Sequence, residues 1–147
     1  MKKINLISTL IICSISFLSC EKEEPFVCEK NAVVKLSEQE CAFARITRTS
    51  GGNDINGFEM GIGWSTGGLD LFIRSSAPLE EKVYTLQDGA SFWFNQLNRT
   101  DGTIIEITTL DKENKTISGT FAVFGEGNSN SQAYEYSASG SFTDVPY

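Results

Sequence analysis

The residue types that most often do chemistry are sparse in this sequence of 147 residues. It contains no histidine, which excludes Ser-His-Asp and Cys-His catalysis and the usual ligand sets of zinc hydrolases. Carboxylates on predicted strands could in principle form an acid pair for glycoside hydrolysis: Glu59, Asp70, Glu106 and Glu135. Alternation with apolar neighbours places them on the solvent side of a sheet. We therefore expect no enzymatic activity, no catalytic residue and no cofactor.

One segment, Asn53 to Gly57, has the composition of a calcium loop. Aligning Gly57 with the turn glycine of an EF-hand puts Gly52 at its first ligand position and Gly63 at its twelfth. Neither residue has a side-chain oxygen, so an EF-hand is excluded and we predict no metal. A flexible loop or an irregular calcium loop remains open.

The aromatic stretch Ser91-Phe92-Trp93-Phe94-Asn95 is the best hint of binding. Alternation puts Phe92 and Phe94 on one face and Trp93 on the other, so either both faces are buried or Trp93 is exposed for contact. If the sheet closes as a barrel, aromatic side chains could line a cavity for an apolar ligand: Trp64, Trp93, Tyr134 and Tyr136. Surface contact with a carbohydrate or a protein is the other option.

The elements that would position these residues are strands. From residue 31 onward, apolar residues recur with a period of two, as in Phe58, Met60, Ile62 and Trp64. Turn signals separate the runs: Ser65 to Gly68, Asp88-Gly89, Asp101-Gly102, Asp111 to Asn114, and Gly125 to Asn130. This pattern predicts one all-β domain over residues 31–147, an antiparallel β-sandwich or calycin-like barrel of about eight or nine strands.

The first 19 residues look like a targeting segment. Lys2 and Lys3 precede an apolar run, Ile4 to Leu18, that is shorter than the roughly 20 residues of a membrane-spanning helix. It ends at Phe17-Leu18-Ser19-Cys20, which resembles the bacterial lipobox. The resemblance implies cleavage before Cys20, diacylglycerol on its thiol and a fatty acid such as palmitate on the new amine. Each buried CH₂ contributes about 0.8 kcal/mol, so such an anchor holds firmly.

A charged segment follows in the expected tether, residues 20–30. Lys22-Glu23-Glu24 resembles the export signal that sends Bacteroidota-type lipoproteins to the outer face of the outer membrane. The resemblance implies display on the cell surface. The alternatives are a plain solvated tether and an outer-membrane anchor that faces the periplasm.

Charge limits the partners of the mature chain. Loss of residues 1–19 removes Lys2 and Lys3, which leaves 128 residues with ten Lys and Arg against nineteen Asp and Glu, a net charge of −9. Nucleic acid and anionic lipid headgroups would be repelled. We therefore expect no nucleic-acid partner, and membrane attachment through lipid alone.

Four cysteines divide by position. Cys13 lies in the signal segment and Cys20 is the expected lipid site, so Cys28 and Cys41 remain as a pair in an exported chain. A bridge between them would close a loop of 14 residues and add about 3 kcal/mol of stability. The alternative is that Cys41 is a buried small hydrophobe.

A second resemblance lies at the end of the chain. "LDKENKTISGTF" (110–121) and "SGSFTDVPY" (139–147) are similar to the closing hairpins of a family of small Bacteroidota lipoproteins of unknown function. The family implies a lipid-anchored β-domain and transfers no catalytic residue. Gly119 and Gly140 are predicted on the inward side of their strands, where Phe121 and Phe142, each two residues later, can fill the space.

The sequence thus predicts a lipid-anchored, surface-exposed and non-enzymatic module that contacts a protein or a glycan. The alternative function is a calycin-like carrier that holds a small apolar ligand inside a closed barrel.

Overall fold

Ten antiparallel strands make up the part of the chain that the computed structural model describes, residues 27–52, 54–94, 98–99, 102–129 and 132–147. They are β1 (Ala32–Lys35), β2 (Gln39–Ser50), β3 (Gly57–Trp64), β4 (Gly67–Arg74), β5 (Val83–Thr85), β6 (Ala90–Trp93), β7 (Asn98–Arg99), β8 (Ile104–Asp111), β9 (Thr116–Ser129) and β10 (Gln132–Pro146). The all-β prediction is confirmed. The signal peptide, Cys20, Lys22, Glu23 and Glu24 lie outside the described residues.

All ten strands belong to one sheet that curls into a nearly closed barrel. Hydrogen-bonded neighbours follow the order β5-β8-β9-β10-β1-β2-β3-β4-β6, and the two-residue β7 pairs with β9. The first and last strands lie side by side, with Ala32 opposite Phe142. The prediction of an antiparallel β-sandwich or barrel is confirmed, and the sheet has the nearly closed, barrel-like form.

The barrel closes where the two edge strands, β5 and β6, approach each other. Eight antiparallel pairings lie between them along the sheet, an even number, so β5 and β6 run in the same direction. A 3₁₀ turn, Leu86–Asp88, joins them. The Asp88 carboxylate accepts hydrogen bonds from the Thr85 backbone N–H at 3.1 Å and hydroxyl at 2.8 Å, and Gly89 follows at a φ of 87°. The turn signal at Asp88-Gly89 is confirmed, since these residues lie between two strands, but the turn is a 3₁₀ turn that carries the chain forward and not a hairpin.

Two other predicted turns had different outcomes. The turn at Asp111 to Asn114 is confirmed, since the Asp111 carboxylate accepts hydrogen bonds from the backbone N–H groups of Glu113 and Asn114 at 2.9 and 2.8 Å. From Gly125 to Ser129 the predicted turn is wrong, because these residues belong to β9 and pair with β10 as far as Ser129 opposite Gln132. Asn130 lies outside the described residues.

Side chains fill the barrel interior. Inward positions of β3, β4, β8 and β9 are buried as their alternation predicts. The largest fully buried side chains are Tyr84, Phe92, Phe142, Met60, Ile62, Leu71, Ile73, Leu79, Ile105, Ile107, Ile117 and Val34. The hydrogen-bonded path contains nine strands. Because β5 and β6 follow each other in the same direction, together they form one strand of the barrel wall. The wall then has about eight strands, a size at which side chains alone can fill the interior.

Glycines and aromatic rings are matched across β9 and β10. Phe142 lies opposite Gly119, and Phe121 lies opposite Gly140. A Cβ added at either glycine would stand 2.7 Å from the ring of the opposite phenylalanine and would also collide with a backbone carbonyl oxygen, that of Glu106 or Val33. The inward placement of both glycines is confirmed, but each ring covers the glycine of the neighbouring strand and not the one two residues earlier in its own strand.

A disulfide joins Cys28 to Cys41, with the Cα atoms 5.5 Å apart. This confirms the predicted pairing. It fastens the segment that precedes β1 to the outer side of β2, beside Val33, which lies opposite Cys41 in the β1–β2 ladder.

Candidate binding face

The aromatic residues predicted to line a ligand cavity do not form one site. Trp64 ends β3 half-buried on the inward side, where its ring lies over Gly67 of β4. Trp93 points outward with 52% of its surface exposed, while Phe92 beside it is buried. The side chain of Tyr134 lies outside the described residues. Of the two predicted alternatives, burial of both faces or exposure of Trp93, the structure has Trp93 exposed.

Tyr136 belongs to the packing at one end of the barrel. Its ring stacks on Phe94 with centroids 4.0 Å apart, and both pack against the core. Burial raises the pKa of Tyr136 to about 12. Its hydroxyl oxygen is buried without a hydrogen-bond partner among the described residues.

The four candidate carboxylates separate into two groups. Glu59 and Asp70 share one outer surface, and burial followed by the charge of Glu59 raises the pKa of Asp70. Glu106 is exposed on β8, where it accepts a hydrogen bond from the Thr120 hydroxyl at 3.2 Å, and Glu135 is exposed on β10.

The predicted loop at Asn53 to Gly57 is only partly described, since Asn53 lies outside. Asp54 pairs with Lys112 at 3.3 Å, and Ile55 is buried. No group of three metal-ligating side chains occurs within the described ranges.

One outer surface, formed by β2, β3, β4 and β6, was not identified by the alternation of residues in the sequence. Pairing sets Arg45, Gly61, Asp70 and Trp93 opposite one another in a row across these four strands. We call this surface the arginine face; its residues are Phe43, Arg45, Arg48, Glu59, Gly61, Gly63, Gly68, Asp70, Phe72, Arg74 and Trp93. From β2 to β6 it spans three strand spacings, or about 14 Å.

A β-bulge brings two of its arginines together. Arg45 and Arg48 are three residues apart, and strict alternation would place them on opposite faces of β2. The register shifts between Ile46 and Arg48, so Thr47 is the extra residue and both arginines point outward. With Arg74 on β4, three of the four arginines of the chain lie on this face.

Glycines form the floor of the arginine face. A Cβ added at Gly63 would have no atom within 4 Å, and one at Gly61 would meet only the Asp70 carboxylate at 3.3 Å. The middle of the face is thus flat backbone. Aromatic side chains stand on both sides of it, since Phe43 on β2 is 64% exposed and Trp93 on β6 is 52% exposed.

A surface pocket of about 320 Å³ lies at the other end of the same face. Arg48, Glu59, Phe72 and Arg74 are among its lining residues, and its volume is at the lower end of the range for small-molecule sites. The Arg74 guanidinium lies 5.5 Å from the centre of the Phe72 ring, a cation–π distance.

Among the described residues, the guanidinium groups of this face have few partners for their hydrogen-bond donors. Arg48 approaches Glu59 at 4.0 Å with 81% of its side chain exposed. Neither Arg45 nor Arg74 has a carboxylate within 4.0 Å in the part of the chain that the structure describes. Two carboxylates therefore face three arginines that they do not neutralise.

Comparison with known proteins found no matching family model, no matching curated protein and no matching solved structure. Among the described residues, no helix is long and apolar enough to cross a membrane.

Proposed function

We propose that this chain is a lipid-anchored bacterial lipoprotein of the outer membrane, displayed on the cell surface, whose barrel is a non-enzymatic binding module. The observation that supports binding is the arginine face, where exposed aromatic rings flank a glycine floor beside three arginines. Its contact is with a glycan or a protein.

Composition supports a contact role for this face. Trp and Arg are among the residue types that contribute most to binding energy at interfaces. The carrier alternative has less support, because the described interior is filled by side chains such as Met60, Leu71 and Phe92.

The proposed lipid anchor rests on Cys20 in its lipobox-like sequence. The proposed location on the cell surface rests on Lys22, Glu23 and Glu24. In cells that express the chain, the wild-type protein should sediment with outer membranes and carry the mass of diacylglycerol on Cys20. The Cys20→Ser variant should be soluble. An unmodified wild-type Cys20 in the soluble fraction would contradict the anchor.

Orientation is tested by protease added to intact cells. The domain should be digested in the wild type and protected when Lys22, Glu23 and Glu24 are all changed to Ala, with lipidation retained in both. Protection of the wild type would place the domain in the periplasm instead.

Binding is tested with the full chain in detergent on an array of polysaccharides and extracellular proteins. The wild type should bind at least one of them, and Trp93→Ala should weaken that binding about tenfold. The matched control is Ile104→Ala, which removes another exposed apolar side chain, 45% exposed, from β8 and should leave binding unchanged. Binding that is equal in all three proteins would exclude this face as the contact site.

A further inference from the structure

We infer that the arginine face binds an acidic polysaccharide, one whose sugar rings carry carboxylate or sulfate groups. This inference rests on the proposed function, since it names the ligand class of the same face.

Charge distribution is the first argument. The chain is acidic, with nineteen Asp and Glu against twelve Lys and Arg, yet the arginine face has three guanidinium groups and two carboxylates. An anionic ligand would be repelled by most of the molecule and attracted here. Arg pairs with carboxylate and sulfate through two parallel N–H···O bonds, which gives direction as well as attraction.

Flatness is the second argument. A sugar ring has C–H groups on its faces and hydroxyls at its rim, so it needs a flat apolar contact with polar groups at the edge. Gly63 leaves such a floor open, and beside it the Asp70 carboxylate stands over Gly61. Trp93 stands at its edge, and next to Trp93 the Asp70 carboxylate is placed to accept hydrogen bonds from hydroxyls. From Gly61 to Gly63 the floor runs about 7 Å along β3, about the length of one sugar ring.

The alternative occupant, a protein, fits this surface less well. The centre of a protein interface is depleted of carboxylates and packed with apolar side chains, whereas the centre here is glycine backbone and the Asp70 carboxylate. Addition of a peptide strand is also excluded, because β3 and β4 are paired on both sides and offer no free edge.

Titration of the full chain in detergent, by calorimetry, tests the inference. The probes are polygalacturonate, which carries carboxylates, chondroitin sulfate, which also carries sulfates, and two uncharged polysaccharides, dextran and fully methyl-esterified pectin. We expect binding to at least one acidic probe, weaker as salt is raised, and no binding to the neutral ones.

Variants assign the binding to the face. Combined Arg45→Gln, Arg48→Gln and Arg74→Gln changes should weaken acidic-polysaccharide binding about tenfold or more. The control, Lys35→Gln with Lys112→Gln and Lys115→Gln, removes the same charge elsewhere on the surface and should change it less than about twofold. Gly63→Val fills the floor without touching a charge, and it should also weaken binding, with the melting temperature unchanged.

Each outcome has a defined meaning. Binding of an acidic probe that the face variants lose supports the inference. If neutral polysaccharide binds equally well, or if a protein binds instead, and the face variants lose that binding, the inference is overturned. The proposed binding function then remains intact. If no binding is detected, or if the face variants leave all binding unchanged, both the inference and the proposed binding function are overturned.

Discussion

Asp70 is a carboxylate of the arginine face whose ionisation is disfavoured in the folded chain. It is half-buried between Gly61 and Trp93, and its burial, with the charge of Glu59, raises its pKa above the ordinary value of an aspartate. An acid whose folded-state pKa is raised destabilises the fold when it is ionised. A neutral residue of the same shape should therefore be better tolerated.

The change Asp70→Asn should raise the melting temperature at pH 7. The destabilisation that it relieves is complete above the raised folded-state pKa and absent below the unfolded-state pKa, so the difference from the wild type should vanish by about pH 3. Thermal melts across this range measure the effect. A variant less stable than the wild type at pH 7 would mean that Asp70 makes a favourable contact instead.

Asp111→Asn is the matched contrast, with the opposite sign. Hydrogen bonds from the backbone and side chain of Asn114, and from the backbone of Glu113, lower the pKa of Asp111. That stabilisation is present at pH 7 and is lost as pH falls through the folded-state pKa. Asp111→Asn should therefore lower the melting temperature at pH 7, where Asp70→Asn raises it.

At the scale of the element, the β9–β10 pair depends on its two matched glycines. Gly119 and Gly140 each leave room for the phenylalanine of the opposite strand, an arrangement in which the ring covers backbone that a glycine exposes. The recurrence of Ser-Gly-x-Phe in "SGTF" and "SGSF" thus reflects a reciprocal exchange between two neighbouring strands.

Gly119→Ala should lower the free energy of unfolding by at least about 2 kcal/mol, because the new methyl group overlaps a carbonyl oxygen and the Phe142 ring. Gly63→Ala is the control in a strand with open space above it, and it should change stability by no more than about 0.5 kcal/mol. Urea unfolding of both variants measures the difference. Equal losses would show that backbone freedom, and not the space above Gly119, decides the cost.

Prediction from the sequence was accurate where strands are regular and failed where they are not. Alternation identified the buried side of β3 and β4, since it depends only on a period of two. Extra residues break that period: Phe142 and Val145 are three apart and both buried, as a register shift between them allows. The same effect hid the arginine face, because the bulge at Thr47 cannot be recognised from residue types. The one visible signal was glycine at outward positions of β3.

At the scale of the molecule, the sheet curls around an interior that is filled by side chains. The short strands β5 and β6 follow each other in the chain and lie between β8 and β4, where they close the sheet. The interior holds large side chains such as Tyr84, whose hydroxyl bonds the backbone of Glu80 at 2.8 and 3.2 Å. A filled interior favours the outer surface as the place where a ligand binds.

The wild-type chain should therefore not take up a fluorescent fatty acid. Leu71→Ala removes a fully buried side chain and should lower the free energy of unfolding by about 2–5 kcal/mol through the cavity that it leaves. Fluorescence titration and urea unfolding provide the two measurements. Stoichiometric uptake by the wild type would restore the carrier hypothesis.

The Cys28–Cys41 bridge also determines how the barrel resists mechanical load. A pull applied at Val27 would, without the bridge, reach β1 first and peel it from its neighbours β10 and β2 one hydrogen bond at a time. The disulfide passes the force directly into β2, which pairs with β1 over residues 39–42 and with β3 over residues 43–50. The four-residue β1 is thereby shielded from tension, and an oxidised molecule pulled from this end should withstand more force than a reduced one.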